Sequence, residues 1–288
     1  MADILVIVVT YNAMLWIDRC LTSIRESSVK ADAVIIDNGS SDGTAEYVHD
    51  RYPYRLIENP ENEGFGAANN IGLKIALEKG YPYVYLLNQD AWLEKDTLSG
   101  LLSAKAPGYG ILSPLQKTAK GDLDPRFKKK CGSRIKALTD RFSGSSLVVE
   151  VPFVMAAHWL VTREALEKVG GFSPAFHHYG EDDNYIHRLH FHGLKCGVVP
   201  SAGAVHDRDS RKPSKKARME LKCVAAVVKL SDPNAHLGWR IFREPLELLG
   251  MAAVNFSLIP VKYIPGFIGR YPKLIKTRRA SKKEKAFL

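Results

Sequence analysis

Two acidic segments are the first candidates for chemistry. Asn88-Gln89-Asp90 follows an aromatic-rich apolar run, so Asp90 falls where a strand ends. A carboxylate there suits a hard divalent ion with oxygen ligands, and Mg²⁺ or Mn²⁺ beside a diphosphate needs only one or two protein carboxylates. Glu181-Asp182-Asp183 follows Phe176-His177-His178-Tyr179-Gly180. Neighbouring like charges raise one another's proton affinity, and a carboxylate tuned upward can act as general base on a hydroxyl. The same triplet also reads as an acidic helix start favoured by the helix dipole. His206 can complete the shell of a phosphate-bound metal, although a lone histidine serves structure as readily. The other histidines, from His177 to His192, lack the spacing of a zinc site.

Two further stretches bear on a ligand. Asp37 ends a β-branched run, and a strand-end acid can accept from a nucleobase imide or a ribose hydroxyl, or simply cap the following turn. Asn62-Glu63-Gly64-Phe65-Gly66-Ala67-Ala68-Asn69-Asn70-Ile71-Gly72 places glycines just before a helix-forming segment. Such glycines let backbone approach a ligand, and a helix N-terminus favours phosphate. The third glycine of a dinucleotide fingerprint is missing, which leaves a nicotinamide cofactor unsupported. A glycine-rich turn is the plain alternative.

Positioning these residues requires a regular framework. Ile4–Thr10 is a near-continuous apolar run of the kind buried on both faces of a parallel sheet. Trp16, Ile17, Cys20, Leu21 and Ile24 then recur at helical spacing. Residues 33–37, 55–58 and 83–87 read as further strands, and 44–52 and 67–79 as helices, with Asp42 or Thr44 available as a cap. Strand–helix alternation with short connections implies right-handed βαβ units. Ligands of such sheets sit beyond the carboxyl ends of the strands. Thr10-Tyr11-Asn12, Asp37 and Asn88-Gln89-Asp90 all lie there. Residues 114–146 read as a mobile loop, 151–162 regain strand character, 163–169 and 181–192 read as helices, and 195–199 as a last strand.

Composition narrows the class. Of 288 residues, 45 % are hydrophobic and 25 % charged, ordinary for a globular protein. The four cysteines are scattered without a C-x-x-C pair and read as thiols of a reducing compartment. The apolar run at residues 4–9 is too short for a signal peptide or a membrane span, and cytoplasmic residence is the expectation. The net charge of +10 is uneven: residues 208–288 hold 19 Lys+Arg against 6 Asp+Glu, and residues 1–207 hold 22 against 25. A mildly acidic body speaks against nucleic acid as a partner.

In order along the chain, Val9-Thr10-Tyr11-Asn12, Asp37-Asn38-Gly39-Ser40-Ser41-Asp42-Gly43-Thr44, Asn62 to Gly72, Asn88-Gln89-Asp90, Val169-Gly170-Gly171-Phe172, Tyr179-Gly180-Glu181-Asp182 and His206 resemble the family 2 inverting glycosyltransferases, particularly their rhamnosyltransferase-like group. The resemblance implies an α/β GT-A fold over residues 1–210, a mostly parallel nucleotide-binding sheet flanked by helices, followed by a basic, mainly helical extension over 211–288. It implies a dTDP- or UDP-sugar donor and a glycan or lipid-linked acceptor in cell-surface polysaccharide or glycolipid synthesis. Thr10, Tyr11, Asn12, Asp37, Gly66, Asn69, Asn88, Gln89 and Asp90 are then expected around the nucleotide, Asp90 and His206 on a divalent metal (Mg²⁺ or Mn²⁺), and Asp182 as catalytic base. Asn88 stands where many relatives carry Asp, and Asn184 where the second acid of E-D-x-D would stand. The Q-x-x-R-W motif and transmembrane helices of processive synthases are absent from the sequence.

Two other functions compete. A nucleotidyltransferase would need a basic glycine-rich loop near the N-terminus, which Tyr11-Asn12-Ala13-Met14 is not. A catalytically inactive nucleotide-binding scaffold of the same fold is the alternative, and the intact Asp90 and Asp182 speak against it. In the extension, residues 246–261 hold one charge, Glu247, but fall short of a clean span. Basic clusters around apolar side chains fit peripheral contact with the inner face of the cell membrane; an ordinary helical subdomain packed on the core fits as well.

Overall fold

The computed structural model describes residues 2–104, 107–131, 148–208 and 214–288. Its centre is a nine-stranded sheet in the order β3-β2-β1-β4-β8-β6-β9-β5, with β7 paired to β9. The first half is parallel: β1 (Ile4–Thr10), β2 (Asp32–Asp37), β3 (Arg55–Glu58) and β4 (Tyr83–Asn88). They are joined by α1 (Ile17–Arg25), α2 (Thr44–Arg51) and α3 (Phe65–Lys79). In β1, Leu5 and Ile7 enter one core cluster while Ile4, Val6 and Val8 enter the other. A strand buried on both faces cannot alternate with polar residues, which is why its sequence is a continuous apolar run.

The second half is mixed. β8 (His158–Thr162) runs antiparallel to β4 and to β6 (Tyr109–Lys117). β9 (Lys195–His206) runs parallel to β6 and antiparallel to the short strands β5 (Ala91–Leu93) and β7 (Val149–Val151). Pro200 does not end β9: the ladder with β6 shifts register between Pro114 and Leu115, and the strand resumes after this irregularity. The expected end at residue 199 is therefore corrected to His206. The loop expected over 114–146 is likewise corrected, because β6 runs through Lys117 and α5 covers Pro125–Cys131; residues 132–147 lie outside the described residues. Residues 151–162 form two strand ends rather than one strand, with β8 beginning at His158.

The remaining body helices are α4 (Thr97–Ser103), α6 (Arg163–Lys168) and α7 (Glu181–Phe191). The extension is helical, as expected: α8 (Lys215–Ser231), α9 (Leu237–Val254), α10 (Ile259–Gly269) and α11 (Tyr271–Ala280). The boundary expected at 210 falls within residues 209–213, outside the described residues. Cys223, Val227, Leu230, Leu248, Phe267 and Leu274 make a core of the extension's own, into which Ala175 and Phe176 of the body project. The chain end returns to the body, where the Gly171 amide donates to the Ala286 carbonyl (2.8 Å) and the Lys285 amide to that of Glu167 (3.0 Å). All four cysteines are buried free thiols.

Candidate active site

Strand register builds the first wall. β1 and β2 pair Thr10 with Asp37, and β1 and β4 pair Val9 with Asn88, so three motif segments leave the sheet side by side. Thr10 Oγ1 and Ser40 Oγ both donate to Asp37 Oδ1 (2.8 and 2.6 Å), and the Ser40 amide donates to Oδ2 (2.9 Å). Asp37 is thereby buried and fully engaged, and it shapes the β2–α2 turn. Asn12 sits in the left-handed region (φ 49°), which asparagine tolerates better than most side chains. Its Oδ1 accepts from the Ser41 amide (2.9 Å) while its own amide donates to Ser40 Oγ (2.9 Å). Gln89 clasps the Tyr11 backbone twice, accepting from its amide (2.6 Å) and donating to its carbonyl (3.1 Å). These bonds join the loops after β1, β2 and β4 into one rim, with the Tyr11 ring exposed at its mouth.

The glycine-rich stretch has a second neighbour that its sequence did not show. Asn38, buried, receives the Asn59 side chain (3.0 Å) and the Glu63 amide (3.2 Å) and donates to Asn62 (3.0 Å). Gly64, at φ +89°, lies so close to the His177 carbonyl that a β-carbon would fall 2.1 Å from it. A β-carbon on Gly66 would meet Phe172 at 2.9 Å. The close approach at these two positions is therefore filled by the loop that carries Glu181-Asp182. Asn69 is buried, its Nδ2 donating to the Phe65 carbonyl (2.9 Å).

Asp90 and His206 are brought together by the strand too short to be read from sequence. β5 pairs Ala91 with His206, and the Asp207 amide donates to the Asp90 carbonyl (2.8 Å). Asp90 Oδ1 and His206 Nε2 then lie 3.4 Å apart, both almost fully buried. Two ligands at right angles around an ion, each at about 2.1 Å, are separated by about 3 Å, so the pair fits a hard divalent cation in position. Among the described residues no third carboxylate, histidine or cysteine joins them in a metal-sized group, which suits an ion shared with a diphosphate and water. Burial holds the His206 imidazole below its usual pKa, opposed by Asp90 and reinforced by Arg208. The Arg208 Nε–H donates to His206 Nδ1 (3.0 Å), which leaves the ring proton on Nε2. Ligation through Nε2 requires that proton on Nδ1, so metal binding and the Arg208–His206 bond exclude each other.

Beneath this pair, His158 is fully buried, with Nε2 donating to the Val205 carbonyl (3.0 Å) and Nδ1 accepting from Tyr85 (2.9 Å). Burial drops its pKa to about 3, so it is a neutral strut holding the end of β9. Asp124 caps α5 by accepting from the Arg126 and Phe127 amides (2.6 and 3.1 Å), and its other oxygen lies 3.4 Å from Arg208 Nε.

The opposite wall is the start of α7. Trp159, Phe172 and Tyr185 form a mutually contacting aromatic cluster with centroids 5.1–6.2 Å apart. Fully buried Arg188 donates to the carbonyls of Val169 and Gly171, and Tyr185 Oη to that of Gly170 (3.0 Å). The Val169-Gly170-Gly171-Phe172 motif is thus the socket of α7. Gly180 caps the helix at φ +88°, and a β-carbon there would fall 2.8 Å from Val228 of α8. Asp182 is half-buried, and its carboxyl is pushed up to about 6, first by burial and then by the Asp183 charge, while the Asp183 amide and Lys130 oppose the rise. Glu181 is pushed up to about 7 by burial and then by Asp182, and its Oε2 is buried without a hydrogen-bond partner among the described residues. Lys130 Nζ of α5 stands 3.7 Å from Asp183 Oδ1. Burial holds the Arg208 guanidinium below its usual pKa, opposed first by Asp124 and more weakly by the charges of Asp90 and Asp182.

The sequence-expected residues thus divide into two walls, Thr10 to Asp90 with His206 on one side and Asp182 on the other. Sequence reading missed Asp124, His158 and Arg208 as parts of the site. Asp124-Pro125 was legible as a cap followed by a first-turn proline, and Arg208 as the residue two past His206 on a strand exit; His158 carried no local signal.

Comparison with known proteins identifies the family and the fold. The model of the glycosyl transferase family 2 matches residues 5–170. N-acetylglucosaminyl-diphospho-decaprenol L-rhamnosyltransferase of Mycobacterium tuberculosis is 28 % identical, over 90 % of this chain and 94 % of its own. The hexosyltransferase Agl10 of low-salt glycan biosynthesis in Haloferax volcanii is 22 % identical over 72 % of this chain and 67 % of its own. Among solved structures, a mannosyltransferase of Pyrobaculum calidifontis in complex with GDP-mannose and Mn²⁺ superposes with a TM-score of 0.58 at 20 % identity, covering 98 % of this chain and 87 % of that one. Staphylococcus aureus TarS residues 1–349 superpose with a TM-score of 0.57 at 16 % identity, covering 83 % and 68 %. With the family's model spanning more than half its length and the GT-A architecture in place, the chain belongs to glycosyl transferase family 2, as a rhamnosyltransferase-like glycosyltransferase.

Proposed function

We propose that the enzyme transfers a sugar, with inversion, from a dTDP- or UDP-sugar to an acceptor hydroxyl of a lipid-linked or glycan precursor at the inner face of the cell membrane. The observation that carries this reading is the buried Asp90–His206 pair, 3.4 Å apart, with Arg208 bonded to its imidazole and a raised carboxyl at Asp182 whose charge acts on that guanidinium. The likeness to a rhamnosyltransferase named for a decaprenol-linked acceptor supports the acceptor class.

In this reading Thr10, Tyr11, Asn12 and Asp37 border the nucleoside, with Asn69, Asn88 and Gln89 toward ribose and diphosphate; Gly66, whose near space Phe172 fills, is not part of the donor site. Asp90 Oδ1 and His206 Nε2 would hold a Mg²⁺ or Mn²⁺ ion. Such an ion supplies Lewis-acid neutralisation of the charge growing on the departing diphosphate. Asp182 Oδ1 accepts from the Asp183 amide (2.8 Å), which leaves Oδ2 to take the acceptor's proton. As the acceptor oxygen bonds to the anomeric carbon, its proton passes to Oδ2, and the anomeric C–O bond breaks with its electron pair leaving on the nucleoside diphosphate. Arg208, whose bond to His206 Nδ1 would be given up if that imidazole held the ion, would add positive charge on the leaving-group side.

Calorimetric titration with UDP, dTDP and GDP, each with and without Mn²⁺, tests the donor site. Metal-dependent binding of UDP or dTDP is expected; absence of binding by all three would remove the donor site.

A further inference from the structure

One face of the helical extension has no partner among the described residues. On α9, Ile241, Glu244, Leu248 and Ala252 turn inward, Leu248 within the extension's core and Ile241 packed against it. A second apolar stripe, Trp239, Phe242, Leu246 and Leu249, recurs at spacings of 3, 4 and 3 on the opposite side and is 46–72 % exposed. A helix with one apolar stripe needs one packing partner; α9 has two stripes and only one is covered. The turn that joins α9 to α10 continues the uncovered surface, with Phe256 98 % and Leu258 71 % exposed.

The exposed charges on this surface have one sign: between Trp239 and Arg270 they are Arg243, Lys262 and Arg270. The acids of α9 are less exposed and ion-paired, Glu244 and Glu247 with Lys229 of α8, and Glu247 also with Arg243 (2.6 Å), which leaves Lys262 and Arg270 as the cations without an acidic partner among the described residues. The turn also satisfies its own backbone: the amides of Asn255, Phe256 and Ser257 donate to the carbonyls of Met251, Ala253 and Ala252 (3.1, 3.3 and 3.0 Å). A tip whose amides are already bonded can enter an apolar phase without an added desolvation penalty. Among the described residues no helix is long and apolar enough to cross a membrane, so contact of this kind is interfacial.

We propose that the outer face of the α9–α10 hairpin docks the enzyme on an anionic lipid bilayer, with Phe256 and Leu258 entering at the tip and Lys262 and Arg270 meeting headgroup phosphates. A second copy of the chain is a poorer occupant. A two-fold interface sets the same patch against itself, which would bring Lys262 and Arg270 against their own like charges. Anionic headgroups complement both features at once, an apolar edge with a cationic border. The surface extends the reading of a lipid-linked acceptor, but it stands on its own geometry.

The test is vesicle flotation of the full chain with phosphatidylcholine alone and with about 30 % phosphatidylglycerol added, alongside the double variant Phe256→Ser/Leu258→Ser. Both positions are exposed, so the variant should keep the wild-type unfolding temperature and its nucleotide titration. The expected result is flotation with the anionic vesicles only, weakened by salt, and a loss of about tenfold or more in partitioning for the variant. A third arm, Lys262→Glu, should lower partitioning several-fold, at roughly 1 kcal/mol per basic residue near the surface. Absence of flotation with anionic vesicles overturns the proposal, as does equal flotation of wild type and double variant. A concentration-dependent dimer abolished by the double variant would reassign the face to self-association. Because nucleotide binding is read separately, failure here leaves the transferase reading intact, and the converse holds.

Discussion

Replacing Asp183 by Asn should move the acid limb of the transfer reaction to lower pH. The Asp182 carboxyl lies at about 6, raised from 3.8 by burial first and by the Asp183 charge second. A base with that pKa is about 90 % ionised at pH 7 and about 10 % at pH 5, so wild-type kcat should fall roughly tenfold between them. Asp183→Asn removes the like charge but keeps the backbone amide that donates to Asp182 Oδ1. Burial remains, so the limb should fall by about half a unit to one unit rather than return to 3.8. At pH 5 the ionised fraction would rise to roughly 25–50 %, a gain of about three- to fivefold in activity relative to its own plateau. Lys130, which pulls Asp182 down, supplies the opposite perturbation, and Lys130→Met should move the limb up. The assay is the pH profile of kcat at saturating donor and acceptor. An Asp183→Asn limb that stays in place or rises would refute the assignment of Asp182 as the titrating base.

Three further outcomes follow from the same geometry. Glu181, unpartnered and lifted to about 7 from 4.5 by burial and by Asp182, opposes folding once ionised; its neutral form stabilises below about pH 4.5, and that stability is lost as pH rises through about 7. Glu181→Gln should therefore gain on the order of 2–3 kcal/mol over wild type at pH 8 and little at pH 4.5, read by denaturant unfolding. Gly180→Ala should cost about 2–4 kcal/mol, because it combines a left-handed backbone at φ +88° with a β-carbon 2.8 Å from Val228; an unchanged midpoint would contradict the packing of α8 on the base helix. Asp90→Asn should remove the Mn²⁺ dependence of nucleotide binding and lower kcat by about 10²–10⁴, and a variant that still responds to Mn²⁺ in calorimetry would place the ion elsewhere.

The sequence was most legible where structure is local and periodic. β1, β2, β4 and α3 carry their burial in their residue types, as the continuous run Ile4–Thr10 shows. The strand-end rule then located Thr10, Asp37 and Asn88-Gln89-Asp90 correctly on one edge. What escaped was set by long-range pairing. β5 is three residues long, yet its register with β9 places Asp90 beside His206 across more than a hundred residues of chain. The second half of the sheet is mixed because β8 inserts antiparallel between β4 and β6, and no periodicity within His158–Thr162 announces that direction. The glycines at 64 and 66 read as making room for phosphate, whereas the volume before them is taken by His177 and Phe172. Glycine reports that something approaches closely; it does not report what. Arg208 was counted among the basic residues and its place was missed, because only the fold brings Asp124 within its reach.

The most direct test of the catalytic account is Asp182→Asn, an isosteric change that removes the proton acceptor and leaves the opposite wall untouched. Single-turnover transfer and calorimetric binding of the donor's nucleoside diphosphate with Mn²⁺ should be measured on the same preparation. The account predicts transfer reduced by about 10³ or more with nucleotide affinity within a few-fold of wild type. Transfer that survives at near wild-type rate would contradict it, because no proton would then pass through Asp182.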